Sequence, residues 1–162
     1  MTSVSPSKSV VNVFFFRNAA NIYGPDGLKP STGGAVGVDL RACLEREEYL
    51  VIPPGERRPV PAGIAVEPLA PGIAGFVYSR SGLGAVKGLT VAQGVGVIDP
   101  DYRGEITVFL LNTGTESYTV QQGERVAQLV FHPCVRPEYS PVAALSETGR
   151  GAGGFGHTGT TE

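Results

Sequence analysis

The residues best suited to chemistry fall in short stretches that combine a charged side chain with glycine or a hydroxyl. In Ser79-Arg80-Ser81-Gly82 a strand end would run into a short helix. Its unpaired N–H groups, the Ser81 hydroxyl, the close approach allowed at Gly82 and the Arg80 guanidinium together form a cradle for phosphate. A serine N-cap beside a surface arginine explains the same tetrapeptide without a ligand. The Gly-rich end supplies a second arginine. Arg150, the backbone of Gly153, Gly154 and Gly156, and the Thr158 hydroxyl could wrap a polyphosphate while Phe155 stacks on a base. The alternative there is a solvated low-complexity terminus.

Three carboxylates complete the set. Asp99 and Asp101 flank Pro100 between the apolar runs Gly96–Ile98 and Ile106–Asn112, which suits an ordinary type I turn. On such a hairpin tip Asp99 could also polarise a water, with the neighbouring Tyr102 offering a flat ring to a sugar. Asp39 sits between Val38 and Leu40, and a lone carboxylate among apolar neighbours calls for an arginine or a hydrated metal ion. Gln128 alternates with Ala127, Leu129 and Phe131 and should face something polar. His132, Cys134, Cys43 and His157 lack the paired spacing of zinc ligands. No Gly-x-Ser-x-Gly elbow is present to support acyl transfer.

These groups must be positioned by strands. The 162 residues include 23 glycines and 13 prolines, nearly twice the usual share, so long helices are disfavoured and turns frequent. With 41% hydrophobic and 17% charged residues the chain can build one core. Strands are expected at Val10–Phe16, Val36–Arg41, Tyr49–Ile52, Gly63–Val66, Gly75–Ser79, Thr90–Val91, Gly96–Ile98, Ile106–Asn112, Tyr118–Val120 and Arg125–His132. Asn21–Gly34 reads as turns, Ser81–Lys87 as the one helix, and Ile106–Leu111 as a central strand apolar on both faces. The expectation is an all-β single domain over residues 10–146, a flexible N-terminus over 1–9 and a mobile Gly-rich C-terminal arm over 147–162. A net charge of −2 argues against polymeric nucleic acid or an anionic membrane as partner. Two distant cysteines and no signal-peptide core point to the cytoplasm.

In order along the chain, Gly37-Val38-Asp39-Leu40-Arg41-Ala42, Ser79-Arg80-Ser81-Gly82-Leu83-Gly84, Gly94–Gly104, Gly123–Leu129 and Arg150–Gly159 resemble the five motifs of the trimeric dUTPase family. That resemblance implies a distorted, β-clip-like jelly roll and a homotrimer with sites between subunits. It also implies cleavage of dUTP to dUMP and pyrophosphate with Mg²⁺, which limits uracil in DNA and supplies dUMP for thymidylate synthesis. By the same resemblance Asp99 activates the water that attacks the α-phosphorus, and Tyr102 lies under the deoxyribose and excludes a 2′-hydroxyl. The hairpin arm around Gln93, Gly94, Val97 and Ile98 reads uracil. Arg80, Ser81, Gly82 and Gln128 hold phosphates, and Asp39 anchors waters on Mg²⁺. Arg150, Phe155, Gly156 and Thr158 close over the nucleotide. Three positions depart from the family pattern: Ser79 replaces a common proline, Gln93 a common asparagine and His157 a serine. The rival readings are a dCTP deaminase-like enzyme, whose pattern has a second serine where Gly82 stands and an arginine where Val86 stands, and a non-catalytic dUTP sensor.

Overall fold

Turn residues interrupt the apolar runs so often that the longest strand has nine residues, Arg125–Pro133. The structure, a computed structural model, describes residues 9–154. In chain order the elements are β1 (Val11–Phe15), α1 (Ala19–Tyr23), β2 (Val38–Arg41), β3 (Tyr49–Ile52), β4 (Arg57–Pro61), β5 (Ile64–Pro68) and β6 (Ile73–Ser79). A single π-helical turn, Gly82–Val86, follows. Then come β7 (Leu89–Val91), β8 (Gly96–Ile98), β9 (Thr107–Asn112), β10 (Tyr118–Gln121) and β11 (Arg125–Pro133). All pairings are antiparallel. A four-stranded sheet runs β2-β11-β6-β8 and a three-stranded one β4-β9-β7, with two-stranded ribbons β1-β5 and β3-β10. One core joins them, built on Leu40, Ile52, Val60, Ile64, Leu89, Ile106, Leu110, Val120 and Val126. Among the described residues no helix is long and apolar enough to cross a membrane.

Four expectations need correction. The stretch read as turns opens with α1, because Ala19 and Tyr23, four residues apart, both reach the core. The buried Tyr23 hydroxyl is satisfied there, donating to Ala62 O at 2.9 Å and accepting from Arg41 N at 3.0 Å. Strand β4 goes unpredicted because it contains Pro59 and Pro61; it lies at a sheet edge, where a missing N–H is tolerated. β9 is central, but its two faces differ. Val108, Leu110 and Asn112 are buried while Phe109 is exposed. Finally, Asp99 is on no hairpin: β8 pairs with β6, and β9 with β4 and β7. The Asp99–Glu105 segment is a crossover between two sheets, and the Gly94–Ile98 arm likewise leaves β7 for a different sheet.

The expected helix at Ser81–Lys87 is a π-turn in which Lys87 N–H reaches Leu83 O. It is short because its glycines contribute no packing, and the one buried side chain is Leu83. Among the described residues Asn112 is the one buried side-chain amide. Its amide donates to Ile52 O (2.8 Å) and Glu116 O (2.7 Å), and its oxygen accepts from Gly114 N (2.9 Å). That triple bond set ties the end of β9 to β3 and to the turn before β10.

Candidate active site

Across the four-stranded sheet Asp39, Gln128 and Tyr78 stand in one row. Strand alternation turns Arg80, two residues beyond Tyr78, to the same face. Its Nε donates to Asp39 Oδ1 at 2.8 Å and its Nη1 to Arg125 O at 3.1 Å. Arg125 itself arrives by an irregularity. Simple alternation would send it to the core side with Ala127 and Leu129, but a bulge between Arg125 and Ala127 resets the register. Val126 is buried instead, and Arg125 Nη1 reaches Asp39 Oδ2 at 3.2 Å. Gln128 donates to Ser79 O at 3.3 Å. A Cβ at position 37 would stand 2.8 Å from Gln128 Oε1, so glycine there leaves that amide room.

The result is a hollow of about 450 Å³ lined by Ser31, Gly34–Gly37, Asp39, Arg80, Ser81, Gly82, Arg125 and Gln128. Two guanidiniums share one carboxylate, so the hollow carries net positive charge and a forked donor set suited to phosphate oxygens. The salt-bridge reading of Asp39 is correct, and the same carboxylate also opens on the hollow. Among the described residues no three His, Cys, Asp or Glu side chains cluster. The lone Asp39 carboxylate on this hollow is a donor that fits a hard divalent cation, which takes one or two carboxylates and completes its shell with waters and substrate phosphates. Ser79, the departure from proline, has its own work: its hydroxyl accepts from Val91 N at 2.8 Å and pins β7.

Asp99 and Tyr102 line a second hollow, of about 270 Å³, together with Gln93, Gly96, Val97, Ile98 and Glu105. A turn closed by Tyr102 N–H to Asp99 O (3.1 Å) presents both side chains to solvent. Tyr102 folds back so that its hydroxyl donates to Glu105 O at 3.0 Å. A Cβ at Gly104 would fall 2.4 Å from that hydroxyl, so this pose requires glycine. On the outer side Arg103 holds the segment, donating to Pro100 O (2.8 Å) and Glu67 Oε1 (2.7 Å). The Asn12 amide and Arg103 keep the Glu67 carboxyl below its ordinary range.

The two hollows share no residue. Ile98 stands opposite Gly75, so Asp99 leaves the sheet beside Ala74, while Arg80 lies at the far end of β6. Six residues at about 3.3 Å each separate those levels by ~20 Å. The directions diverge too, since Arg80 reaches across β11 to β2 whereas Asp99 follows β8 on the other side of β6. Of the remaining expected residues, Gly94 serves the turn before β8 at φ +81° and is off the lining of the second hollow. Arg150 lies in an exposed strand-free stretch, its Nε donating to Gly153 O at 2.9 Å. Phe155, Gly156, His157 and Thr158 lie outside the described residues. Sequence reasoning missed Arg125, Glu105 and Ser31 as lining residues. Arg125 lay within a quoted motif, but period-2 alternation argued against it.

A family model described as dUTPase matches residues 26–159. The chain is 50% identical over 131 residues to a deoxyuridine 5′-triphosphate nucleotidohydrolase of Desulfitobacterium hafniense, covering 81% of this chain and 85% of that one. Against the Salmonella typhimurium protein of the same name it is 43% identical over 129 residues, covering 80% and 84%. Among solved structures it is similar to a Streptococcus mutans dUTPase, with TM-score 0.65 and 28% identity over 79% of this chain and 99% of that one. It is also similar to the Staphylococcus bacteriophage 80alpha dUTPase with dUPNHPP, with TM-score 0.78 and 25% identity over 93% and 98%.

Proposed function

The chain belongs to the dUTPase family and hydrolyses dUTP to dUMP and pyrophosphate, and from that premise we propose that its two hollows are halves of one active site, joined between neighbouring copies of the chain. The observation that carries this reading is the ~20 Å offset along β6 between the arginine-lined hollow and Asp99. A single triphosphate cannot bridge that offset while presenting its α-phosphorus to Asp99 of the same chain. A homotrimer of distorted jelly-roll subunits supplies the juxtaposition.

In the joined site Arg80, Arg125, Ser81 and Gln128 hold the phosphate chain, with Arg80 and Arg125 exchanging part of their bonding to Asp39 for phosphate oxygens. Asp39 is the residue that would hold Mg²⁺ through water, and the bound ion would supply neutralisation of the triphosphate. Tyr102 packs under the deoxyribose. Gln93, Val97, Ile98 and the nearby backbone face the base. Asp99 takes a proton from the attacking water as its oxygen bonds to the α-phosphorus. The bond from that phosphorus to the bridging oxygen breaks, and pyrophosphate leaves into the arginine cluster. The arm from Arg150 through Phe155, Gly156 and Thr158 covers the nucleotide. Two free cysteines, Cys43 and Cys134, support placing the protein in the reducing cytoplasm.

The test is to incubate the purified protein with dUTP, dCTP, dTTP or UTP and Mg²⁺ and to measure pyrophosphate and ammonia. Pyrophosphate from dUTP alone is the expected result. Ammonia released from dCTP would overturn it.

A further inference from the structure

The segment carrying Asp99 and Tyr102 leaves one sheet and enters another, so neither sheet's ladder holds it. What holds it is the ribbon β1-β5. The Glu105 side chain turns from the crossover to the corner after β1 and accepts from Arg17 through both carboxylate oxygens, with the Arg17 Nη1 to Oε2 contact at 2.8 Å. Glu105 Oε1 also accepts from Gly63 N at 2.8 Å, just before β5. The pair is sheltered, with 31% of the Arg17 side chain and 19% of that of Glu105 exposed. Arg17 is, among the described residues, the one non-glycine at positive φ, +49°. A left-handed arginine persists where the surroundings over-determine it, and here it aims the guanidinium at the crossover. The hydrogen bond from Glu105 raises the Arg17 pKa against the opposing effect of burial.

The same residue, Glu105, gives its backbone carbonyl to the Tyr102 hydroxyl. Beyond it, Ile106 is locked by Ala62 N to Ile106 O (2.8 Å) and Ile106 N to Ile64 O (2.9 Å). The Ile106 N–H shares its rigid peptide plane with the Glu105 carbonyl, so the carbonyl that seats Tyr102 is held on one side by Ile64 O of β5 and on the other by the clamped Glu105 side chain.

We propose that the Arg17–Glu105 pair is a positioning device that sets the Tyr102 ring and thereby the discrimination between deoxyribo- and ribonucleotide. The inference rests on the reading of Tyr102 as the residue under the sugar. The second tether of this segment, Arg103 to Glu67, is more exposed, at 53% and 39%. Exposed pairs of that kind contribute little, so it serves as the internal control.

The experiment measures kcat and KM for dUTP and UTP with Mg²⁺ in the wild type, Tyr102→Ala, Glu105→Gln, Arg17→Gln, the Arg17→Gln/Glu105→Gln double variant and Glu67→Gln, with thermal melts of each. Glu105→Gln keeps an oxygen for Gly63 N–H but loses the charge pair. The ratio of kcat/KM for dUTP over UTP should fall about tenfold, the size of one lost charge-assisted bond. The fall should come from a raised KM for dUTP and a lowered one for UTP, with kcat for dUTP changed less. The double variant should match the single ones, because the two residues act as one unit, and Glu67→Gln should stay within about twofold of wild type. If Glu105→Gln does not fold, Arg17→Lys, which keeps the charge but loses the fork, carries the same expectation. Folded variants of the pair with the wild-type ratio, beside a Tyr102→Ala that loses it, overturn the clamp alone. A Tyr102→Ala that keeps the wild-type ratio overturns the sugar assignment and the clamp together.

Discussion

If Arg80 and Asp99 act on one nucleotide from different chains, two variants that are each inactive should rescue one another. The perturbation is to co-express Arg80→Ala with Asp99→Asn, each carrying a different affinity tag, and to isolate assemblies that carry both. The geometry sets the magnitude. Within a chain the two residues are separated by ~20 Å along β6, and Arg80 reaches across β11 to β2 while Asp99 follows β8 on the other side of β6. A site then takes its arginine hollow from one copy and its Asp99 hollow from the next. At equal expression half of the hollows of each kind are intact, so about a quarter of sites in random mixtures are complete. Removing a general base typically lowers the rate by 10²–10⁴, so the Asp99→Asn parent should retain about a hundredth of wild-type activity at most. Selecting doubly tagged trimers removes both homotrimers and leaves one complete site in three, so that fraction should show pyrophosphate release from dUTP at about a third of wild type. Doubly tagged assemblies as inactive as either parent would refute the reasoning, because a site built within one chain is always missing one of the two residues in such mixtures. Light scattering on the wild type should give the mass of a trimer.

Asp99→Asn alone should lower kcat by 10²–10⁴ while the dUTP Kd, measured by calorimetry, stays within about tenfold, since a proton acceptor acts on the barrier rather than on binding; unaltered turnover removes Asp99 from the mechanism. Asn112→Ala should cost about 2 kcal/mol in urea unfolding, because it strands the buried Ile52 carbonyl and removes the part-buried bonds to Glu116 O and Gly114 N; a loss under about 0.5 kcal/mol contradicts that accounting. Burial pushes the Tyr23 phenol up to about 12 from an ordinary 10.0. The neutral phenol is thus favoured in the folded state, and its stabilisation is complete below pH 10 and lost as the pH rises toward 12. The loss amounts to about 3 kcal/mol. Tyr23→Phe should flatten that alkaline fall in melting temperature, and an equally steep fall in the variant would assign it to other groups. Truncation before residue 147 should leave the melting temperature unchanged and depress dUTP turnover, as residues 147–150 are exposed and add nothing to the core; a lowered melting temperature would show that the arm supports the fold.

Much of the molecule is legible from local pattern. Strands β3 and β8 fall where β-branched runs and turn residues predict them, and Gln128 faces the arginine hollow because alternation with Ala127 and Leu129 leaves it no other side. The strand-to-turn cradle at Ser79–Gly82 and the braced turn at Asp99 are likewise set by neighbouring residues. Strand β4 escapes because its two prolines signal a break, a penalty that disappears only once an edge position is known. The helical turn at Ala19–Tyr23 is too short for periodicity to register and exists because Tyr23 finds Ala62 and Arg41.

What the tertiary structure alone decided is who meets whom. Adjacent runs β8 and β9 look like a hairpin along the chain, yet each pairs with strands far away in sequence. The Asp99 segment therefore becomes a crossover hung from the Arg17 corner, 88 residues distant. Arg125 reads as a core-facing position until a bulge, which is a property of its register with β2, turns it onto Asp39. Periodicity is a local property of one chain segment and predicts which face a side chain takes. Register, bulges and long-range ion pairs depend on the partner strand, and they determine that the arginine hollow and Asp99 lie at opposite ends of β6.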